Sequence, residues 1–279
     1  MSVYGAIGNQ LEYQVDELDL KNILAGQSDV ISNRIASFAA QLPVGKKLTG
    51  LDFSCNPINK DTVGLICVAI QDCAALGFQY INLGDCHITA ESLPQLLQAV
   101  NVAKIPHLIL NGNKLDESGF QIVFDSLDNI TELTLQHSRL QDDLFLEVAP
   151  SIAQAKNLRK LDLRHNELSD KSFACIADKL LPSTGLVSLW LDNNPVSESG
   201  LKYFLKKLKV ADELPLICLD INHISSAEDI KHDFEEVVRR QLNPILQLKQ
   251  LCETLAGTSI QPEAEASQDV SSNLRRLTL

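Results

Sequence analysis

The sequence is poor in several features that would have fixed its class at once. It has one Met and one Trp, only 5% of its residues are aromatic, and 24 Lys+Arg face 36 Asp+Glu, which leaves a formal charge of −12. No run of about eighteen apolar residues exists, so a membrane-spanning helix is not expected. The acid excess repels phosphate backbones and no window gathers Lys and Arg into a patch, which argues against nucleic-acid binding. Residues 1–20 carry no basic group ahead of an apolar run, so no Sec-type leader is expected.

The cysteines are an odd set without paired spacing: Cys55, Cys67, Cys73, Cys86, Cys175, Cys218 and Cys252. That pattern points to reduced thiols and cytoplasmic residence rather than a disulfide framework. A doubled C-x-x-C and an H-E-x-x-H are both missing, so no metal site is expected. A Gly-rich phosphate loop, a nucleophile elbow and a kinase signature are missing too, and neither catalysis nor a cofactor is expected.

What the chain does have is an internal repeat. The pattern Leu-x-x-Leu-x-Leu-x-x-Asn-x-Leu recurs in eight blocks starting at Val15, Leu48, Phe78, Ile105, Ile130, Leu158, Leu186 and Leu216, with first, fourth and sixth positions apolar throughout. Alternating apolar residues make a short strand with one buried face, and the Asn amide can satisfy backbone groups in the turn that follows. The ninth position reads Ile23, Asn56, Cys86, Asn113, Ser138, Asn166, Asn194 and Ile224, so a ladder of Asn side chains is expected, with the first and last blocks degenerate. Between blocks, Val63, Ile66, Cys67 and Ile70, and again Phe173, Ile176, Ala177 and Leu180, follow helical spacing.

The runs Leu158-Arg-Lys-Leu161-Asp-Leu163-Arg-His-Asn166-Glu-Leu168 and Leu186-Val-Ser-Leu189-Trp-Leu191-Asp-Asn-Asn194-Pro-Val196 resemble the leucine-rich-repeat family. The steps of 25 to 33 residues are similar to those of its ribonuclease-inhibitor-like class, over roughly residues 15–226. The resemblance implies an α/β horseshoe solenoid with a parallel concave sheet and convex helices. Residues 1–225 are assigned to it. Ser225-Ser-Ala-Glu228 has capping-box spacing and opens an apolar helical pattern, so residues 226–256 are read as a C-terminal helical cap, broken at Pro244. Residues 257–279, rich in Ser, Thr, Gln and Glu, read as a flexible tail. That tail is similar to the loose C-terminal translocation signals of type IV secretion effectors of intracellular bacteria such as Legionella, which would place the protein in a host cytosol.

Residues flanking the strand leucines face solvent on the concave side. They give a candidate protein-binding surface of Tyr80, His107, Ile109, Glu132, Thr134, His137, Lys160, Asp162, Arg164, His165, Trp190 and Asp192. Trp190 and Arg164 are residue types that dominate interface anchors. His137 and His165 share the eighth position of adjacent blocks. The leading reading is a noncatalytic scaffold that binds a protein partner, in the host if the tail is a signal. One alternative is a regulator of a small GTPase, because the GTPase-activating repeat proteins of nuclear transport share this repeat class. That role needs an arginine-bearing N-terminal loop, and Arg34 is the only Arg before Arg139. Ubiquitin-ligase repeat proteins carry a Cys-x-Asp motif, whereas Cys252 is followed by Glu253-Thr254. The other alternative is an adaptor that dimerises through residues 226–256.

Overall fold

The computed structural model describes residues 17–20, 33, 35–37, 40–41, 48–210, 216–218, 230 and 232–237. Its strands are β1 (Glu17–Asp19), β2 (Gly50–Asp52), β3 (Tyr80–Asn82), β4 (His107–Ile109), β5 (Glu132–Thr134), β6 (Lys160–Asp162), β7 (Ser188–Trp190) and β8 (Leu216–Cys218). They form one parallel sheet in chain order. From β2 to β8 each crossover carries a helix: α1 (Val63–Asp72), α2 (Leu93–Val102), α3 (Glu117–Asp125), α4 (Asp142–Gln154), α5 (Asp170–Cys175) and α6 (Glu198–Val210). A π-helical turn at Ile176–Leu180 extends α5. This is the expected α/β solenoid, each repeat burying its strand and helix against its neighbours. Among the described residues no helix is long and apolar enough to cross a membrane.

The pairing register runs Glu17, Gly50, Tyr80, His107, Glu132, Lys160, Ser188, Leu216. The first seven are the third positions of the blocks read from sequence. The eighth is not. Leu216, taken above as a first position, pairs with third-position Ser188, so the last block starts two residues earlier, at Leu214. In that frame it reads Leu214-Pro-Leu-Ile217-Cys-Leu219-Asp-Ile-Asn222-His-Ile224, with Asn rather than Ile at the ninth position.

Strand alternation fixes the core. The sixth-position residues Leu20, Phe53, Leu83, Leu110, Leu135, Leu163 and Leu191 are all fully buried, and the fourth-position residues from Leu51 to Leu189 almost so. Each contributes about 1.5–3 kcal/mol of apolar burial. The helices close over them with Val63, Ile66, Cys67 and Ile70 from α1 and with a set of phenylalanines. Of these, Phe173 and Phe204 meet edge to face at 5.2 Å.

The Asn ladder is present. Asn113 Nδ2 donates to the Leu83 and Leu110 carbonyls, and its Oδ1 accepts from the Cys86 and Ile88 amides, so one side chain closes its own turn and the preceding one. Asn166 repeats this with Leu135, Leu163, Ser138 and Leu140. Cys86 is a partial substitute, its Sγ donating to the Phe53 carbonyl at 3.2 Å; burial pushes this thiol up to about 12. A sulfur cannot accept as an amide oxygen does, and the Ile58 amide donates instead to the backbone oxygen of Cys86 at 2.8 Å. The residue after it, His87, takes a left-handed conformation at φ 52, as does Arg139 at φ 58 after Ser138.

A second ladder ties the helix starts together. Asp142 accepts from the Ser169 amide at 2.8 Å, from the Ser169 hydroxyl, and from the Ser172 amide and hydroxyl, so it caps the helix of the next repeat. Asp170 does the same for Ser197. Burial raises the Asp142 carboxyl, yet the bonds from Ser169 and Ser172 outweigh it and hold it below the usual range. Its stabilising effect is therefore complete above the unfolded value near 3.9 and is lost as pH falls through the lower folded value. Asp142→Asn should lower stability by about 1 kcal/mol at neutral pH, with the gap to wild type closing in acid. Urea denaturation at neutral and acid pH measures both; a gap that does not change with pH would show that the carboxylate charge is irrelevant.

Ile230 and Val237 are buried and residues 232–237 are helical. The remainder of 226–256 and all of 257–279 lie outside the described residues.

Candidate partner-binding surface

The concave residues form three clusters rather than an even field of solvated side chains. The first follows the third positions. Tyr80 lies over Gly50: a Cβ there would stand 2.0 Å from its ring, so the aromatic can lie along the sheet only because the preceding repeat has no side chain. Its ring centroid is 6.3 Å from that of His107. His107 Nε2 is 3.2 Å from Thr134 Oγ1 and its Nδ1 3.7 Å from Glu132, which also holds Lys160 Nζ at 2.9 Å. Burial drives the His107 pKa below its ordinary value; Lys160 adds to this, and Glu132 and Asp162 oppose it. At neutral pH the cluster presents a neutral imidazole beside a closed ion pair.

The second cluster is Asp162 with Arg164. Arg164 Nε sits 2.9 and 3.0 Å from the two Asp162 oxygens, Nη2 joins it, and Gln136 Nε2 donates to Asp162 at 2.8 Å. Both charges are nearly buried, at 6% and 8% exposure. The Asp162 carboxylate also accepts from the Arg164 backbone amide, as Asp52 does from Ser54 and Asn82 from Gly84. Arg164 is therefore half of a neutralised pair and not a free guanidinium.

The third cluster follows the eighth positions. His137 and His165 stack with ring centroids 4.2 Å apart and planes 15° from parallel. Asn193 Nδ2 lies 3.3 Å from His165 Nε2. Every described residue of this row is left-handed: Cys55, Asp85, Gly112, His137, His165 and Asn193 have φ between 54 and 68. Burial, then His137 and Arg164, lower the His165 pKa. Among the described residues no group of three or more His, Cys, Asp or Glu is placed to hold a metal ion.

Trp190 stands directly across from Asp162 in the β6–β7 register and is partly buried. Ile109, opposite Thr134, is also partly buried, and so is Asp192, whose carbonyl accepts from the His165 amide. Gln136 and Asn193 are the members of these clusters missing from the candidate set; both were visible in the same outward rows. Clefts of about 630 and 380 Å³ lie elsewhere, between the convex helices, where Asp125 and Asp128 line both.

Residues 154–177 match a family model described as Leucine Rich repeat. The fold is a leucine-rich-repeat solenoid. No curated protein matches the sequence. Among solved structures, the solenoid is similar to "Leiomodin-1 Actin-Binding Site 2 (ABS2)" at 13% identity and a TM-score of 0.41, over 68% of this chain and 98% of that one.

Proposed function

We propose that this leucine-rich-repeat protein is a noncatalytic scaffold whose concave sheet, from Tyr80 to Trp190, receives a protein partner. The observation that carries the reading is the setting of Trp190. A large aromatic is only partly covered on a rigid strand face, beside polar groups already paired with one another. Such a surface can gain affinity from shape and aromatic burial without ordering its own backbone, so little conformational entropy is lost on binding. Among the described residues of this surface, Lys160 is paired with Glu132 and Arg164 with Asp162.

Trp190→Ala should weaken partner binding by about 2 kcal/mol, roughly thirtyfold in Kd, with little change in melting temperature. Affinity capture from eukaryotic lysate followed by calorimetry on the recovered partner measures the first, and thermal unfolding the second. An equal loss of stability would make Trp190 a core residue and sink the reading.

The ribonuclease-inhibitor-like class is inferred from the repeat lengths and the convex helices. Cytoplasmic residence rests on the free thiols of Cys55, Cys67, Cys73, Cys86 and Cys175. A host protein as partner rests on the composition of residues 257–279, and a translocation reporter fused to that segment tests it.

A further inference from the structure

We propose that the stacked pair His137–His165 is a proton-controlled rung that opens at acid pH and reshapes the concave rim on which the partner docks. The inference builds on the scaffold reading, but its first test needs no partner.

The left-handed backbone of the eighth row suits Gly, Asn and Asp, which fill three of its six described places. Two adjacent repeats place histidine there, at φ 54 and 55, a residue type that this conformation admits more readily than most. The fold alone does not ask for histidine, since Asp85, Gly112 and Asn193 meet the same geometry in other repeats.

The geometry supplies the switch. Two imidazoles stack face to face while neutral, whereas two imidazolium rings at 4.2 Å repel. The second contact is also sensitive to the proton. His165 Nε2 accepts from the Asn193 amide, which puts its hydrogen on Nδ1; once Nε2 is protonated no lone pair remains, and two donors face each other at 3.3 Å. The Asn193 amide must then turn to offer its oxygen. One proton therefore disturbs three consecutive repeats.

The charges around the pair are mixed. Asp162 favours the proton on His165, and Arg164 opposes it. Glu167 and Arg139 stand two positions beyond the two rings on their own turns, Asp192 is next to Asn193, and Lys114 is on the repeat before. Arg164 is locked on Asp162, and on the preceding rung the Asp85 carboxylate fills the space that a side chain at Gly112 would take, which adds one more acidic group on the His137 side of the pair.

The test follows the ring proton signals of the two histidines by NMR in the full chain between about pH 5 and 8. Wild type should show ring-current shifts that vanish on acidification, with a His165 midpoint below the ordinary 6.5. His137→Asn, which keeps the left-handed backbone easy, should raise the His165 midpoint towards the ordinary 6.5. A His165 midpoint that ignores the substitution, or ring-current shifts that persist in acid, overturns the proposal. For a captured partner, binding should weaken several-fold in acid for wild type and not for the His137→Asn/His165→Asn double variant. A pH dependence that persists in the double variant, or none in wild type, overturns the link to docking. Failure of the scaffold reading shows separately, as binding indifferent to Trp190→Ala.

Discussion

Asn166→Ala is expected to destabilise the protein by on the order of 3 kcal/mol, although it removes only a short polar side chain. The Asn166 amide donates to the Leu135 and Leu163 carbonyls and its oxygen accepts from the Ser138 and Leu140 amides. The site is 5% exposed, so water cannot replace these bonds without opening the turn. Alanine would leave backbone groups of two repeats without partners, and each unsatisfied buried group costs about 1–3 kcal/mol. Asn166→Cys should recover part of the loss, because Cys86 in an equivalent position still reaches the preceding repeat through its sulfur. Urea unfolding of the three proteins decides it; an alanine variant within error of wild type would mean that the ladder contributes nothing beyond the strands.

Leu161→Ala should cost about 2–5 kcal/mol. Leu161 is fully buried, paired in register between Leu133 and Leu189, and lies in the middle of the sheet, where neither flanking repeat can collapse into the space. Thermal unfolding measures it. Because each repeat leans only on its neighbours, the loss should also loosen the two flanking turns, visible as faster amide exchange from β5 to β7 ahead of the rest. Unchanged exchange there, with an unchanged melting curve, would contradict the inward orientation of this residue.

The fold was legible because two periods coincide, a strand alternation that buries the fourth and sixth positions and an Asn at the ninth. Where two frames satisfy the apolar rule, only the Asn decides between them. Leu216, Leu219 and Ile221 fit it as well as Leu214, Ile217 and Leu219; Asn222 against Ile224 separates the two and agrees with the observed pairing. The cross-repeat caps at Asp142 and Asp170 escaped notice because their Ser partners lie a full repeat away in sequence.

The candidate surface was legible only as a direction. Alternation tells which side chains point outward, but not which of them already satisfy each other. Arg164 and Asp162, two residues apart on one strand face, neutralise each other, and Lys160 is tied to Glu132 across strands. The left-handed eighth row was hidden for a different reason: Asp, Gly and Asn announce such a backbone, but Cys55, His137 and His165 interrupt them.

The in-order parallel sheet also bears on how such a protein can change length. Among the described residues no strand is inserted between two others, so duplicating one repeat would widen the sheet by one strand spacing, about 4.8 Å, and leave every existing hydrogen bond between strands intact except at the single seam. Deletion of one repeat is equally local. The molecule is thus built like a ruler whose graduations are the Asn rungs, and its length can change by copying a graduation instead of redesigning a core.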